Sequence, residues 1–297
     1  MSAGWLEQQE RGTAAALRLM TWLTLTLGYR LGRVLLYPIC AYFLLFSPAA
    51  RRSSQQFLSR VRGRSARLRD VYRHFHVFAS TLLDRVEILA SHEAGFDVRL
   101  HGVEILESFI ASNRGCLLLG SHLGSFEILR VIGESKRHLR VNLVMHEDNA
   151  RKMSQWVRAR APELAERIIA PGRPDTLLKV GECLQRGELV AMLGDRVFGA
   201  ERAVRCEFLG AEAWFPTGPL FAASLLEIPV ITFFCVYRGP RCYEVYFELL
   251  AERISRQGEG RDPAVESCVR RYAERLEAQA RAAPENWFNF YDFWQSL

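Results

Sequence analysis

A histidine and a glutamate five residues apart are the side chains in this sequence whose types and setting best suit catalysis. They lie in the stretch Cys116–Glu127. Its first four residues are apolar, which is typical of a strand buried on both faces, and a short helical pattern begins at Ile128. His122 therefore falls in the turn between a strand and a helix, which is the edge of an α/β sheet where ligands bind.

This placement allows the carboxylate of Glu127 to fold back onto the imidazole of His122. A carboxylate that accepts a hydrogen bond from one ring nitrogen fixes the tautomer and raises the basicity of the other nitrogen. Such a histidine can take the proton of a substrate hydroxyl as the oxygen attacks an acyl carbonyl. Histidine also stands where a G-x-S-x-G nucleophile elbow needs serine, which favours direct transfer without a covalent acyl-enzyme. A lone histidine near a strand end is commonly structural, so this interpretation depends on the contact with Glu127.

The composition indicates a folded, basic protein. Of its 297 residues 49% are hydrophobic and 24% charged, and the formal net charge is +6. A basic balance suits nucleic acid, a membrane surface or acidic substrates. The seven cysteines are scattered without a C-x2-C pair, which favours a reducing compartment over a disulfide framework. The sequence has no zinc-ligand spacing, P-loop or dinucleotide fingerprint, and we predict neither a metal nor a cofactor.

The N-terminal region predicts contact with a membrane. Residues 13–46 hold two apolar runs separated by a segment with two arginines, and neither run reaches the ~20 residues that a span requires. Their tyrosines and tryptophan are typical of membrane interfaces. We expect an embedded or interfacial helix here, and the alternative is a pair of buried core helices.

A basic tract follows this region. Residues 51–73 carry eight arginines and a single acid, Asp70. Beside an apolar segment such a cluster favours binding to anionic headgroups on the cytoplasmic side. Aromatic residues are not interleaved as a stacking platform, so we expect no nucleic-acid partner. The alternative is a solvated basic helix face.

The remaining pattern predicts an α/β fold with a mixed, largely parallel central sheet flanked by helices, preceded by the N-terminal hydrophobic, membrane-associated helical segment. Buried or alternating strands at 96–100, 116–119, 141–145, 168–169, 189–193 and 228–234 are separated mostly by helical patterns. Polar residues follow two of these strands, so they should lie at the same sheet edge as His122. They are His146 after one strand and Asp195 with Arg196 after another.

Arg196 offers a planar fork of donors for a phosphate or a developing oxyanion, although an Asp-Arg pair can equally be a structural salt bridge. Thr217 and Gly218 begin a helix whose first amides can hold an anion.

These segments resemble the H-x4-D/E motif of the lysophospholipid acyltransferase superfamily, and more closely the lipid A biosynthesis (lauroyl and myristoyl) acyltransferases. The resemblance covers about residues 15 to 294. It is most specific at the His122–Glu127 motif and at the aromatic ending 284–294, which is close to P-E-Q-W-x-W but has Asn286 and Asn289 at two positions. We expect this ending to pack as structure. The expected catalytic residues are His122 and Glu127, and the expected substrate-binding residues are Gly124, Ser125, His146, Asp195, Arg196, Thr217 and Gly218.

The resemblance implies an acyltransferase at the cytoplasmic face of a bacterial inner membrane. It would move a fatty acyl chain from acyl carrier protein, or coenzyme A, to a lipid or glycolipid acceptor, without a cofactor. We predict two parts, the membrane-associated helices and basic tract in residues 1–75 and the α/β acyltransferase domain in residues 76–297. Two alternatives stay open: a lipid esterase or thioesterase that uses the same His-Glu site, and a non-catalytic membrane-binding protein in which both residues are structural.

Overall fold

The structure is a computed structural model that describes residues 28–90, 95–135, 140–145, 167–199, 201–255 and 262–295. A mixed sheet with helices on both faces forms its body. The helices are α1 Gly28–Phe46, α2 Pro48–Arg62, α3 Leu68–Ala90, α4 Val103–Ala111, α5 Ile128–Ser135, α6 Thr176–Gln185, α7 Gly218–Leu226 and α8 Pro263–Ala282, and a 3-10 turn covers Pro284–Asn286. The strands are β1 Asp97–His101, β2 Leu117–Gly120, β3 Val141–Val144, β4 Ile168–Ile169, β5 Leu189–Leu193, β6 Ala203–Phe208, β7 Ala211–Pro216, β8 Val230–Gly239 and β9 Cys242–Ala251.

The central sheet has seven strands in the order β1-β9-β8-β2-β5-β3-β4. Its neighbouring pairs are parallel except for the antiparallel hairpin of β8 and β9. The predicted fold class is therefore confirmed. The central strand β2 lies between β8 and β5, and Gly120 of β2 is in register with Leu193 of β5. The residues that follow these two strands consequently emerge side by side.

The central strand is buried along its whole length because both faces of the sheet are covered. Leu117 and Leu119 pack into a cluster with side chains of α2, α3 and α8, whereas Leu118 packs into a second cluster with α4 and α5. This alternation follows from the two-residue period of a strand. A strand held on both faces gives the turn after it a fixed starting point.

The structure also bears on the predicted helices and on the predicted division into two parts. The amphipathic pattern near 71–89 is helix α3, and it is continuous across the predicted boundary between residues 75 and 76. The division into two parts therefore stays a prediction. The basic sequence at 151–160 predicts a further helix, and this segment lies outside the described residues. The hairpin of β6 and β7 is an addition that the sequence pattern did not reveal.

Helix α1 has the length and composition of a membrane-crossing helix, a test that some core helices and signal sequences also pass. One side of it packs on the α/β body: Tyr29 donates a hydrogen bond to Asp84 at 2.6 Å, and Arg33 donates to Tyr237 at 3.3 Å. The exposed apolar side chains of α1 are Leu31, Val34, Tyr37, Tyr42, Leu45 and Phe46. The helix thus combines a docked side with a broad apolar side that the described residues leave uncovered.

The basic tract divides into structural and exposed arginines. Arg62 forms ion pairs with Asp70 and Glu285, so it joins α2 to α3 and to the chain end. Arg69 and Arg73, one turn apart on α3, have side chains that are 80% and 75% exposed. The exposed arginines leave both interpretations of the tract open, and the ion pairs of Arg62 add a structural role that the sequence pattern did not reveal.

Candidate active site

The imidazole of His122 lies at the carboxyl edge of the sheet and is hydrogen-bonded to Asp195. Its Nδ1 is 2.8 Å from Oδ1 of Asp195, and the backbone N–H of His122 donates to Oδ2 at 3.0 Å. The two residues are 73 positions apart in sequence. They meet because β2 and β5 are parallel neighbours, and each residue stands two positions after the aligned ends of these strands.

Electrostatics fix the protonation states of this pair. Burial alone would raise the pKa of Asp195, but the imidazole, its hydrogen bond and the charge of Arg196 hold that pKa down at about 2. Burial and then the Arg196 charge lower the pKa of His122 below its ordinary value, against the opposing effect of Asp195. At neutral pH we therefore expect an ionised carboxylate beside a neutral imidazole.

The tautomer follows from these charges. An ionised carboxylate can only accept, so Nδ1 of His122 carries the proton and Nε2 carries the lone pair. Among the described residues Nε2 has no hydrogen-bond partner, and the side chain is 27% exposed. This nitrogen is the atom of the site that is free to accept a proton from a ligand.

Glu127 does not make the contact that the sequence predicted. Its Oε2 accepts a hydrogen bond from Ser125 at 2.7 Å, and its Oε1 lies 2.6 Å from Nε of Arg85 in α3. The half-buried guanidinium of Arg85 competes for the carboxylate, so Glu127 is held towards α3 rather than over the imidazole. The predicted hydrogen bond between His122 and Glu127 is wrong. Glu127 still acts on His122 through space, since its charge raises the pKa of the imidazole.

The aromatic ending of the chain holds the turn that carries His122. The backbone N–H of Phe288 donates to the carbonyl of His122 at 2.9 Å, and Gly124 donates to the carbonyl of Asn286 at 2.8 Å. The indole N–H of Trp287 donates to Oδ2 of Asp195 at 2.9 Å. Trp287 is 1% exposed, so the ending packs as structure, as expected, and also completes the hydrogen bonds of the site.

Arg196 stands beside the pair as expected from its place after β5. Its guanidinium donates to the carbonyl of Phe288 at 2.8 Å and lies 5.3 Å from the ring centre of Tyr291. The role predicted for Arg196, binding a phosphate or an oxyanion, stays a prediction. In the structure Arg196 acts on His122 through its charge, because a fixed positive charge beside the ring disfavours the imidazolium.

Gly124 occupies a position in the turn that only glycine fits. Its φ is +69°, and an added Cβ would lie 1.4 Å from the carbonyl oxygen of Cys235 on β8. A substrate-binding role was predicted for Gly124 and Ser125, and it is untested. Their observed contacts connect the His122 turn to β8, to the chain end and to Glu127.

None of the other three predicted substrate-binding residues is seen in contact with His122 in the part of the chain that the structure describes. His146 lies outside the described residues. Thr217 does not cap α7 with its side chain and instead donates to the carbonyl of Arg202 at 3.1 Å. With Gly218 it lines an open pocket of about 350 Å³ that also includes Glu201, Arg202 and Phe221. The residues that line this pocket are not among those described above as bonded to His122 or Asp195, so we give the pocket no part in the chemistry described below.

A smaller apolar cavity lies at the sheet edge between β3 and β5. It measures about 30 Å³, the size of one water molecule rather than an acyl chain. Its lining residues are Phe126, Leu143, Val144, Met145, Ala191, Met192, Leu193 and Phe233. Within the described ranges, no group of three or more His, Cys, Asp or Glu side chains could hold a metal ion.

Sequence reasoning missed two functional features. It assigned Asp195 to substrate instead of to the imidazole, because the order of strands in a sheet cannot be read from their periodicity. It also missed the hydrogen bond of Trp287. The sequence did contain a signal for this hydrogen bond, because the N–H of a buried tryptophan normally has an acceptor. Nothing in the sequence showed that the acceptor is Asp195.

A carboxylate, an imidazole with a free Nε2 and a nearby guanidinium can together remove a proton from a hydroxyl and stabilise negative charge. A search of curated proteins returned no match to this chain. The family model of the bacterial lipid A biosynthesis acyltransferases matches residues 14–296, which is nearly the whole chain. The chain therefore belongs to the bacterial lipid A biosynthesis acyltransferase family, which makes it an acyltransferase.

Proposed function

We propose that this protein transfers a fatty acyl chain from acyl carrier protein, or coenzyme A, to a lipid or glycolipid acceptor at the inner membrane. The observation that carries the proposal is the hydrogen bond between Nδ1 of His122 and Asp195, which leaves Nε2 free on a partly exposed ring. This is the arrangement that a general base needs. Family membership supports the substrate class.

In the proposed reaction Nε2 of His122 accepts the proton of an acceptor hydroxyl. The acceptor oxygen attacks the thioester carbonyl, and the C–S bond of the donor breaks when the tetrahedral intermediate collapses. The imidazolium then returns its proton to the thiolate that leaves. Asp195 stabilises the imidazolium while it exists, and no covalent bond to the protein forms.

Arg196 and Glu127 have supporting parts in this scheme. The guanidinium of Arg196 can stabilise the oxyanion or hold a phosphate of donor or acceptor. It also keeps His122 neutral before the reaction. Glu127 acts through its negative charge and through its ion pair with Arg85, which fixes the turn against α3.

The N-terminal helices support a place on the membrane. The exposed apolar side of α1 can enter the interfacial region, where tyrosines are favoured. The ion pairs of Arg69 with Asp70 and of Arg73 with Glu285 are long, at 4.0 and 3.9 Å, so these exposed guanidinium groups can also reach anionic headgroups or an acidic carrier protein. The exposed basic surface and the membership in the family support a place at the cytoplasmic face of the inner membrane, and no cofactor or metal is part of the proposal.

A labelled acyl donor tests the proposal against its alternatives. Purified protein in lipid vesicles is incubated with acyl carrier protein that bears a labelled chain, with and without an acceptor lipid extract. We expect label to enter the lipid fraction only when acceptor is present. Free fatty acid that forms at the same rate without acceptor would identify a hydrolase. No turnover with acyl carrier protein or coenzyme A donors, together with vesicle binding, would identify a membrane-binding protein without catalysis.

A further inference from the structure

We propose that Trp287 is a positioning residue that fixes Asp195 and limits the basicity of His122. The proposal rests on the proposed function in one respect only: it gives His122 the role of base. The geometry of the carboxylate carries it. Oδ2 of Asp195 accepts from the indole N–H of Trp287 at 2.9 Å and from the backbone N–H of His122 at 3.0 Å, while Oδ1 accepts from Nδ1 of His122 at 2.8 Å.

The contact between the indole of Trp287 and Asp195 is closed to bulk water in the folded protein. Asp195 and Trp287 are each 1% exposed. The rings of Phe57 and Phe293 stand edge-on to Trp287 at centroid distances of 4.9 and 4.8 Å. Without the indole, Oδ2 of Asp195 keeps only the backbone N–H of His122 as a donor, and a buried charged acceptor that loses a donor costs free energy. The indole therefore selects one rotation of the Asp195 carboxylate.

Trp287 is itself held from the N-terminal helices. Nε2 of His74 in α3 lies 2.9 Å from the carbonyl oxygen of Trp287, which can only accept, so Nε2 carries the proton. Nδ1 of His74 then accepts from the hydroxyl of Ser54 in α2 at 2.8 Å. Burial lowers the pKa of His74 to about 3, so this ring is neutral at pH 7. A chain of hydrogen bonds thus runs from Ser54 to His122.

The effect of the indole on basicity has a definite sign. The indole N–H places its partial positive charge beside Oδ2 of Asp195 and so stabilises the ionised carboxylate. Removal of the indole therefore leaves a more basic carboxylate and raises the pKa of both Asp195 and His122. Among the described residues, the other titratable or charged groups that face the pair are Arg196 after β5, Glu127 after β2, Tyr272 of α8 and Tyr291 of the chain end. None of them is altered by the substitution Trp287→Phe.

NMR titration of His122 in the full-length protein tests the proposal without an acyl donor. We expect Trp287→Phe to raise the pKa of His122 by several tenths of a unit, whereas Asp195→Asn lowers it. Trp294→Phe is the matched control, because Trp294 also uses its indole N–H, but on the carbonyl of Phe208 at 3.1 Å. It should leave the pKa unchanged. A pKa of His122 that is the same in Trp287→Phe and wild type would overturn the proposal.

A second measurement needs no variant and therefore does not depend on folding. In the wild-type protein the indole N–H resonance of Trp287 should shift with the titration midpoint of His122, and that of Trp294 should not. A Trp287 resonance that ignores this titration contradicts the proposal. If acyl transfer is present, Trp287→Phe should also lower kcat about tenfold with little change in KM, since a hydrogen bond that orients the base is lost. Absence of transfer in the wild type would refute the proposed function but leave the NMR result interpretable.

Discussion

His122 obtains its carboxylate from the neighbouring strand and not from its own motif. Asp195 accepts a hydrogen bond from Nδ1 of His122, whereas the carboxylate of Glu127 is bound by Arg85 and Ser125. The interpretation drawn from the sequence depended on a contact with Glu127 that the structure does not contain. The proposal that His122 is a base now depends on Asp195 instead. The two carboxylates then have separable effects: Asp195 acts by a hydrogen bond and by charge, Glu127 by charge and by fixing the turn.

Replacement of each acid by its amide separates these effects. Asp195→Asn should reduce kcat about a hundredfold or more, because the base loses its orientation and the imidazolium its partner. Glu127→Gln should reduce kcat less and should lower the unfolding temperature, since Arg85 loses its partner. Steady-state acyl transfer and thermal unfolding measure the two effects. A larger loss of kcat in Glu127→Gln than in Asp195→Asn, with both proteins folded, would return the main role to Glu127.

The pH dependence should report the charge of Arg196. The pKa of His122 is lowered below its ordinary value, so the base form persists at pH 7 and activity falls only in more acidic solution. Arg196→Gln removes a positive charge that opposes protonation, so the acid limb of kcat/KM should move to higher pH. Arg205→Gln is the control, because Arg205 is an exposed arginine of the β6–β7 hairpin, and it should leave the acid limb in place. An acid limb that stays in place, or moves to lower pH, in Arg196→Gln contradicts this account.

The turn between β2 and α5 shows how an element positions the base. Gly124 brings the chain against the carbonyl of Cys235 with a positive φ. Gly124→Ala should destabilise the protein by several kcal/mol, because strain and a steric clash act together. Gly172→Ala is the matched control, since Gly172 has φ +77° but open space around its Cα, and it should cost only about 1 kcal/mol. Equal unfolding temperatures for the two variants would show that the close approach to β8 is not required.

Local elements were predictable from the sequence because their signals are local. The apolar runs of β2 and β5 and the amphipathic spacing of α3 follow from periodicity, and the structure contains all three. The contact of His122 with Asp195 was not predictable, since it depends on which strands are neighbours. The β6–β7 hairpin was missed although its burial alternates and a Leu209-Gly210 turn links its strands.

For the whole molecule, the docking of α1 suggests how the protein meets a bilayer. Tyr29 and Arg33 tie one side of α1 to the α/β body, so the described part of this helix lies along the body and presents its other side. The exposed Arg69 and Arg73 belong to α3, which packs against α1 through the hydrogen bond from Tyr72 to the carbonyl of Tyr37. Apolar and basic surfaces are therefore contributed by adjoining helices.

Charge reversal tests this membrane surface. Arg69→Glu should weaken binding to vesicles that contain anionic lipid, by about 1 kcal/mol or more at low salt, and the difference should shrink as salt rises. Arg253→Glu is the control, because Arg253 is also exposed but lies beyond β9 and outside the tract. Co-sedimentation with vesicles measures both. Equal weakening in the two variants would indicate a general charge effect rather than a defined surface.

The central claim is that His122 is the base of an acyl transfer reaction, and His122→Ala tests it most directly. The rate of label transfer from acyl carrier protein to acceptor lipid is compared between this variant and wild type, after matched unfolding curves establish that both proteins are folded. General-base catalysis contributes about 10² to 10⁴ in rate, so we predict a loss of at least that size. Turnover within a few-fold of wild type would contradict the account.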